Sequence, residues 1–216
     1  MIGTRSAAMV NSDKDKPRTV LLLVGLIGSG KSTFAQALEQ HIPHYRRCNQ
    51  DDLGSRPRVE ALARQSLGEG LSVCIDRSNF DARQRATWIN IAREFPGTDA
   101  WVLVFDTPYE VCAQRLQQRT DHPTIKTPTD ALVILSRFHS QYQAPSSYEG
   151  YARLLSLPPA EQRAEYTRED VQDILDRLRD ATPPPEPQTR IDAFFSDAGR
   201  GYSGQRGWRG SGGRGF

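Results

Sequence analysis

Val20-Leu21-Leu22-Leu23-Val24-Gly25-Leu26-Ile27-Gly28-Ser29-Gly30-Lys31-Ser32 decides how the rest of the chain is read. Five apolar, β-favouring residues run into a glycine-rich turn, and the turn runs into the amphipathic stretch Thr33-Phe34-Ala35-Gln36-Ala37-Leu38. Strand, glycine loop and helix in that order are the context in which G-x-x-x-x-G-K-[ST] means a phosphate-binding loop. Gly25, Gly28 and Gly30 admit backbone conformations closed to other residues, so successive N–H groups can turn inward on phosphate oxygens. The N-terminus of the following helix adds its partial positive charge at the same point. Lys31 is placed to reach the β- and γ-phosphates and the Ser32 hydroxyl to hold Mg²⁺, with Ser29 and Thr33 completing the set. The stretch therefore predicts binding of a nucleoside triphosphate together with Mg²⁺.

Around this loop lie 216 residues with a net charge of +2 and three cysteines, Cys48, Cys74 and Cys112, none in a C-x-x-C pair. The length suits one domain with tails. Cysteines so spaced beside apolar segments read as buried, reduced thiols. No apolar run has the length of a membrane span or the layout of a signal peptide. A soluble, intracellular chain without membrane association, acting as a monomer, is the expectation.

Residues 1–17 are polar and read as disordered. After the loop helix, 44–48 reads as a strand ending in Asn49-Gln50-Asp51-Asp52, and 58–67 as a helix stopped by Gly68 and Gly70. Residues 71–76 form an apolar strand ending on Asp76, and Asp81 N-caps a helix to Glu94, closed by Pro96-Gly97. A strand over 100–105 ends on Asp106, read as a capping residue, and Pro108 opens a helix to Gln118. A loop over 119–129, a helix over 130–142, a strand over 153–157 and a helix over 168–178 complete the series. Strands alternating with helices predict an α/β domain, a parallel sheet flanked by helices over 18–181. The prolines of 182–187 mark a linker, and the Gly/Arg/Ser-rich stretch 196–216 cannot bury enough apolar surface to fold.

In open α/β sheets ligands bind beyond the carboxyl ends of the strands, where Asp51, Asp76 and Asp106 fall. Phosphoryl transfer to an alcohol needs a base for the attacking hydroxyl and cations on the migrating group. Asp51 is the candidate base. Asp76 is placed as the acid of a Walker-B strand, near Mg²⁺ or orienting an arginine; the bland alternative for either is helix capping. Arg85 lies one turn into the next helix. Arg119, at the mouth of a polar loop, is the candidate lid residue closing on the triphosphate, while Arg115 reads as a solvated helix residue.

The segments Gly25 to Phe34, Cys48-Asn49-Gln50-Asp51-Asp52-Leu53-Gly54-Ser55, Ile75-Asp76-Arg77-Ser78-Asn79-Phe80-Asp81 with Arg85, and Phe138 to Pro145 with Glu149-Gly150-Tyr151 carry a resemblance. Over 20–158 the chain is similar to the kinase domain of polynucleotide kinase–3′-phosphatase and, more distantly, to phage polynucleotide kinase. The resemblance implies a P-loop NTPase kinase fold and ATP-dependent phosphorylation of polynucleotide 5′-hydroxyl ends. It makes Asp51 the general base, assigns Asp76, Ser78 and Asn79 (with Arg85) to the acceptor-strand groove, and points to Arg119 as the lid arginine. Gln50 stands where the family has arginine. No D-x-D-x-T phosphatase pattern is present, so a kinase-only form is expected.

Gln188-Thr189-Arg190-Ile191-Asp192-Ala193-Phe194-Phe195 matches Q-x-x-[ILM]-x-x-[FY]-[FY]. It resembles the box that docks on the sliding clamp, proliferating cell nuclear antigen (PCNA). Ile191, Phe194 and Phe195 would share one face of a helical turn and plug an apolar pocket, with Gln188 hydrogen-bonding beside it. Arg-Gly pairs at 200–201, 206–207, 209–210 and 214–215, interleaved with Tyr202, Trp208 and Phe216, suit sequence-tolerant nucleic-acid binding. The expectation is a nuclear DNA-repair kinase. An RNA 5′-kinase, and a non-catalytic nucleotide-binding module recruited through 188–195, are the alternatives.

Overall fold

The computed structural model describes residues 17–118 and 127–184. The expected segments 1–16, the candidate lid residue Arg119, the clamp box 188–195 and the Arg-Gly stretch lie outside them. The element order is β1 (Arg18–Val24), α1 (Lys31–His41), β2 (Tyr45–Asn49), α2 (Gln50–Leu53), α3 (Arg56–Gly68), β3 (Ser72–Asp76), α4 (Ala82–Arg93), β4 (Thr98–Phe105), α5 (Tyr109–Gln118), α6 (Pro128–Ser140), β5 (Arg153–Leu157) and α7 (Arg168–Asp180).

All strand pairs are parallel, in the order β2-β3-β1-β4-β5. A parallel strand buried on both faces needs an unbroken apolar run, and Val20 to Val24 are each fully buried. Successive side chains alternate between faces. Val20, Leu22 and Val24 join Val59, Ala63, Trp88 and Ile91 of α3 and α4. Leu21 and Leu23 join Phe34 and Leu38 of α1 and Val171, Ile174 and Leu178 of α7. A third cluster, Leu26, Cys112, Leu116, Ala131 and Leu135, ties the phosphate loop to α5 and α6. All three cysteines are buried and free, as expected. Among the described residues no helix is long and apolar enough to cross a membrane.

The boundaries depart from expectation where proline sits. Helices α3 and α6 begin two residues earlier than read, each with proline in its first turn. Proline is tolerated there because the first-turn N–H groups lack helical partners anyway. The short helix α2 was not expected. The Asn49 side chain accepts from the Asp52 N–H and caps it, and Gly54 closes it in the left-handed region at φ 75°.

Candidate active site

The phosphate loop connects the end of β1 to α1 and requires glycine for two physical reasons. Gly25 stands at φ 148°, and a Cβ there would lie 2.8 Å from the Phe105 carbonyl oxygen. Gly28 stands at φ 81°, where a Cβ would meet the Cys112 carbonyl oxygen at 3.0 Å. No side chain caps α1, so its first-turn N–H groups keep their bonding capacity for an anion. Lys31 Nζ donates to the Leu26 carbonyl (2.6 Å) and to Ser29 Oγ (3.1 Å), loop acceptors standing in for phosphate oxygens. Burial pushes the Lys31 ammonium down to about 8, with the Asp76 carboxylate opposing the shift.

Asp76 ends β3, next to the loop strand, and its carboxylate is held from three sides. Oδ1 accepts from Ser32 Oγ at 3.0 Å. Oδ2 accepts from Arg47 Nε (2.8 Å) and Asn49 Nδ2 (2.7 Å), with Arg47 Nη2 also at 2.7 Å. Arg47 Nη1 in turn reaches Asp52 of α2 at 2.7 Å. Ser32 and Asp76 offer hard oxygen donors at the loop rim, which suit Mg²⁺ alongside phosphate oxygens and water. Among the described residues no group of three or more His, Cys, Asp and Glu could hold a metal alone.

Asp51 lies exposed in the first turn of α2. It shares with the loop a cleft of about 810 Å³. Gly28, Gly30, Lys31, Ser32 and Thr33 line the donor side, and Asp51, Arg77, Ser78, Phe80, Gln84 and Phe138 the other. The β2 register, with Asn49 opposite Asp76, and the Arg47 bridge fix α2 against the phosphate loop. The Gln50 side-chain oxygen beside Asp51 is buried without a hydrogen-bond partner.

Two groove expectations fail. Arg85 has 0 % exposure and forms a two-bond ion pair with Glu149, Nε to Oε2 and Nη2 to Oε1, both 2.7 Å. Its Nη1 donates to the Asn79 carbonyl at 2.9 Å. Asn79, equally buried and at φ 46°, donates through Nδ2 to the Leu23 carbonyl (2.8 Å) and accepts at Oδ1 from Trp88 Nε1 (3.0 Å). Both side chains are used up inside the core, and neither lines the cleft. Asp76, at 3 % exposure, lines the cleft with its carboxylate already bonded to Ser32, Arg47 and Asn49. Ser78 lines the cleft.

Arg115, expected to be solvated, stands over the loop. Its Nη1 donates to the Gly28 carbonyl (3.3 Å) and to Gln162 Oε1 (3.1 Å). Gln162, absent from the sequence reading, also bonds Thr107 and the Leu157 carbonyl. Arg47 and Asn49 were missed as well. The signal for them is their place in β2: two residues apart, they carry side chains to one face, beside a strand that ends on a carboxylate.

A family model described as an AAA domain matches residues 55–145, beginning downstream of the glycine loop. Among curated proteins, the Arabidopsis thaliana transcription factor bHLH140 is 32% identical over 156 residues, covering 69% of this chain and 17% of that protein. The bifunctional polynucleotide phosphatase/kinase of Schizosaccharomyces pombe is 28% identical over 145 residues, covering 67% of this chain and 35% of that protein. The chain thus aligns with about a third or less of these relatives' length. Among solved structures, a fungal RNA kinase superposes with a TM-score of 0.57 at 20% identity, over 85% of this chain and 98% of that one. The parallel sheet, its strand order, the phosphate loop and these likenesses together place the chain in the P-loop kinase fold.

Proposed function

We propose that this chain transfers the γ-phosphoryl group of ATP to the 5′-hydroxyl end of a nucleic-acid strand, DNA in the first instance. The carrying observation is that Asp51 and the phosphate loop open onto one cleft, with α2 tied to the loop through Arg47, Asn49 and Asp76. The relative named as a polynucleotide phosphatase/kinase supports the polynucleotide class.

The loop N–H groups and Lys31 would take the triphosphate. Ser32 and Asp76 would hold Mg²⁺, whose charge would offset that of the triphosphate. Asp51 accepts the proton of the 5′-hydroxyl as that oxygen bonds the γ-phosphorus. The bond from phosphorus to the β–γ bridging oxygen breaks, and ADP leaves. Arg115 approaches the loop from α5, and Arg119 is proposed to close from the following segment. Gln188, Ile191, Phe194 and Phe195 are proposed to dock on PCNA, which would bring the kinase to DNA in the nucleus.

RNA ends are the second reading. The Gln50 side-chain oxygen next to Asp51 is buried without a hydrogen-bond partner, and turned into the cleft it would offer an acceptor to a ribose 2′-hydroxyl, which a DNA end lacks. The test is transfer of labelled γ-phosphate from ATP to 5′-hydroxyl DNA, to 5′-hydroxyl RNA and to small sugar alcohols. Transfer to DNA above RNA is the expected result, and RNA above DNA would install the second reading. Transfer to the sugars alone would overturn both.

A further inference from the structure

A loop that takes phosphate through its N–H groups has to keep carbonyls turned away from the ligand, and groups outside the loop must hold them there. Behind this phosphate loop that role falls to a closed ring of side chains. Thr107, just past β4 and 6 % exposed, donates from Oγ1 to the Ser29 carbonyl at 3.2 Å. Arg115 of α5 donates from Nη1 to the Gly28 carbonyl at 3.3 Å. Gln162, from the turn after β5, joins the two. Its Nε2 donates to Thr107 Oγ1 at 2.8 Å, and its Oε1 accepts from Arg115 Nη1 at 3.1 Å. Nε2 also donates to the Leu157 carbonyl at 3.1 Å, which anchors the ring to the end of β5.

Glutamine suits this place because one amide offers an acceptor to the guanidinium and two donors to the hydroxyl and the carbonyl. A glutamate there has no donor, and a lysine or arginine has no acceptor. The ring closes beside Gly30, where a Cβ would lie 3.6 Å from Gln162 Oε1 and 3.8 Å from Arg115 Nη1. Gly30, Arg115 and Gln162 all line the cleft. The carbonyl and N–H of a trans peptide point opposite ways, so the bond from Thr107 to the Ser29 carbonyl aims the Gly30 N–H away from Thr107. That N–H stands directly before Lys31 and the uncapped start of α1, the place for an anion. Both of the Arg115 bonds use Nη1, so the ring fixes the guanidinium by one nitrogen and sets its charge at the loop.

We propose that Gln162 is a positioning residue for the triphosphate: it presets the phosphate loop through Thr107 and holds the Arg115 charge beside Gly30, without contacting the nucleotide itself. This rests on the nucleotide-binding half of the kinase reading and extends it to a residue far along the chain from the glycine loop. Donors fixed in place beforehand lose less freedom on binding, and the saving appears as affinity.

The test is calorimetric titration of the full chain with ATP and with inorganic tripolyphosphate, which carries the phosphates without base or ribose, Mg²⁺ being present throughout. Gln162→Ala should weaken both ligands by the same factor, about 10-fold, the worth of one hydrogen bond to a charged group. Arg115→Ala should lose about as much, and the double variant should stay well short of the ~100-fold loss expected of independent sites. Gln162→Glu, of nearly the same shape, should lose at least as much as Gln162→Ala, because its charge pairs with Arg115 and repels the phosphates. A purely structural role would instead lower the urea midpoint and leave both affinities in place. Affinities unchanged in either Gln162 variant, a fully multiplicative double variant, a loss confined to ATP, or tripolyphosphate left unbound by a chain that binds ATP each overturns the inference and leaves nucleotide binding standing. Neither ligand bound by the unaltered chain overturns nucleotide binding and the inference with it.

Discussion

The two halves of the cleft are built in different ways. The donor half comes from one unbroken stretch, in which strand, glycine turn, Lys31, Ser32 and helix start follow one another. The acceptor half is assembled from the start of α2, the turn after β3 and the end of α6. A contiguous half can be read from residue order alone because its geometry is local. The assembled half depends on strand register and on long-range pairs, so its residues declare themselves only in the fold.

That contrast predicts where substitutions act. The largest effect belongs to Lys31→Ala in the donor half: transfer should fall about 10³-fold, because the ammonium is proposed to act as a preorganised charge on the migrating phosphoryl group. ADP affinity should fall with it, and steady-state kinetics beside calorimetric titration would check both. Arg85→Gln should instead act on the scaffold of the acceptor half. Removing one partner of a buried ion pair costs about 3–5 kcal/mol, to be read as a lower urea midpoint. A stable Arg85→Gln protein with weakened acceptor binding would restore the groove role and erase the contrast.

Arg47→Gln should have a smaller effect that touches both halves, because Arg47 joins Asp76 to Asp52 across them. With Asp76 holding Mg²⁺ as proposed, removing such a supporting contact would cost about 10–100-fold in metal affinity or activity. The expected signature is a raised Mg²⁺ requirement for transfer. An unchanged Mg²⁺ titration would mean that Arg47 does not couple the two halves.

The smallest effect is a pH dependence confined to the donor half. Burial lowers Lys31 from its ordinary value of 10.5 to about 8 in the folded protein. Between those values the unfolded chain binds more protons, so Lys31's contribution to stability rises with pH across that window. Nucleotide binding runs the other way. The triphosphate favours the charged lysine, so its affinity should be flat below pH 8 and weaken above it, with proton uptake visible by calorimetry in buffers of different ionisation enthalpy. Lys31→Ala should abolish that slope.

The sequence made β1, the loop and α1 legible because an apolar run of strand length, three glycines and a lysine leave one common arrangement. It also located Asp51, since a carboxylate just past a strand end falls at the ligand edge of a parallel sheet. Arg85 was misread because its partner, Glu149, lies 64 residues away. One turn into a helix after an acid, an arginine looks cleft-facing until that carboxylate is placed beside it. Arg47 and Asn49 stayed silent because their role depends on β2 pairing with β3 so that Asn49 stands opposite Asp76. Arg115 was misjudged for a related reason: helical spacing gives the face it occupies but not that the glycine loop packs there.

Asp51 is proposed to serve the acceptor while the phosphate loop and the residues around it hold the donor. The most direct measurement is Asp51→Asn, with turnover on a 5′-hydroxyl oligonucleotide and ADP affinity taken on the same preparation. With Asp51 as the base, turnover should fall by about 10²–10⁴-fold, the usual worth of a general base, with ADP affinity unchanged. Turnover retained in Asp51→Asn, or turnover and ADP affinity lost together, would contradict it.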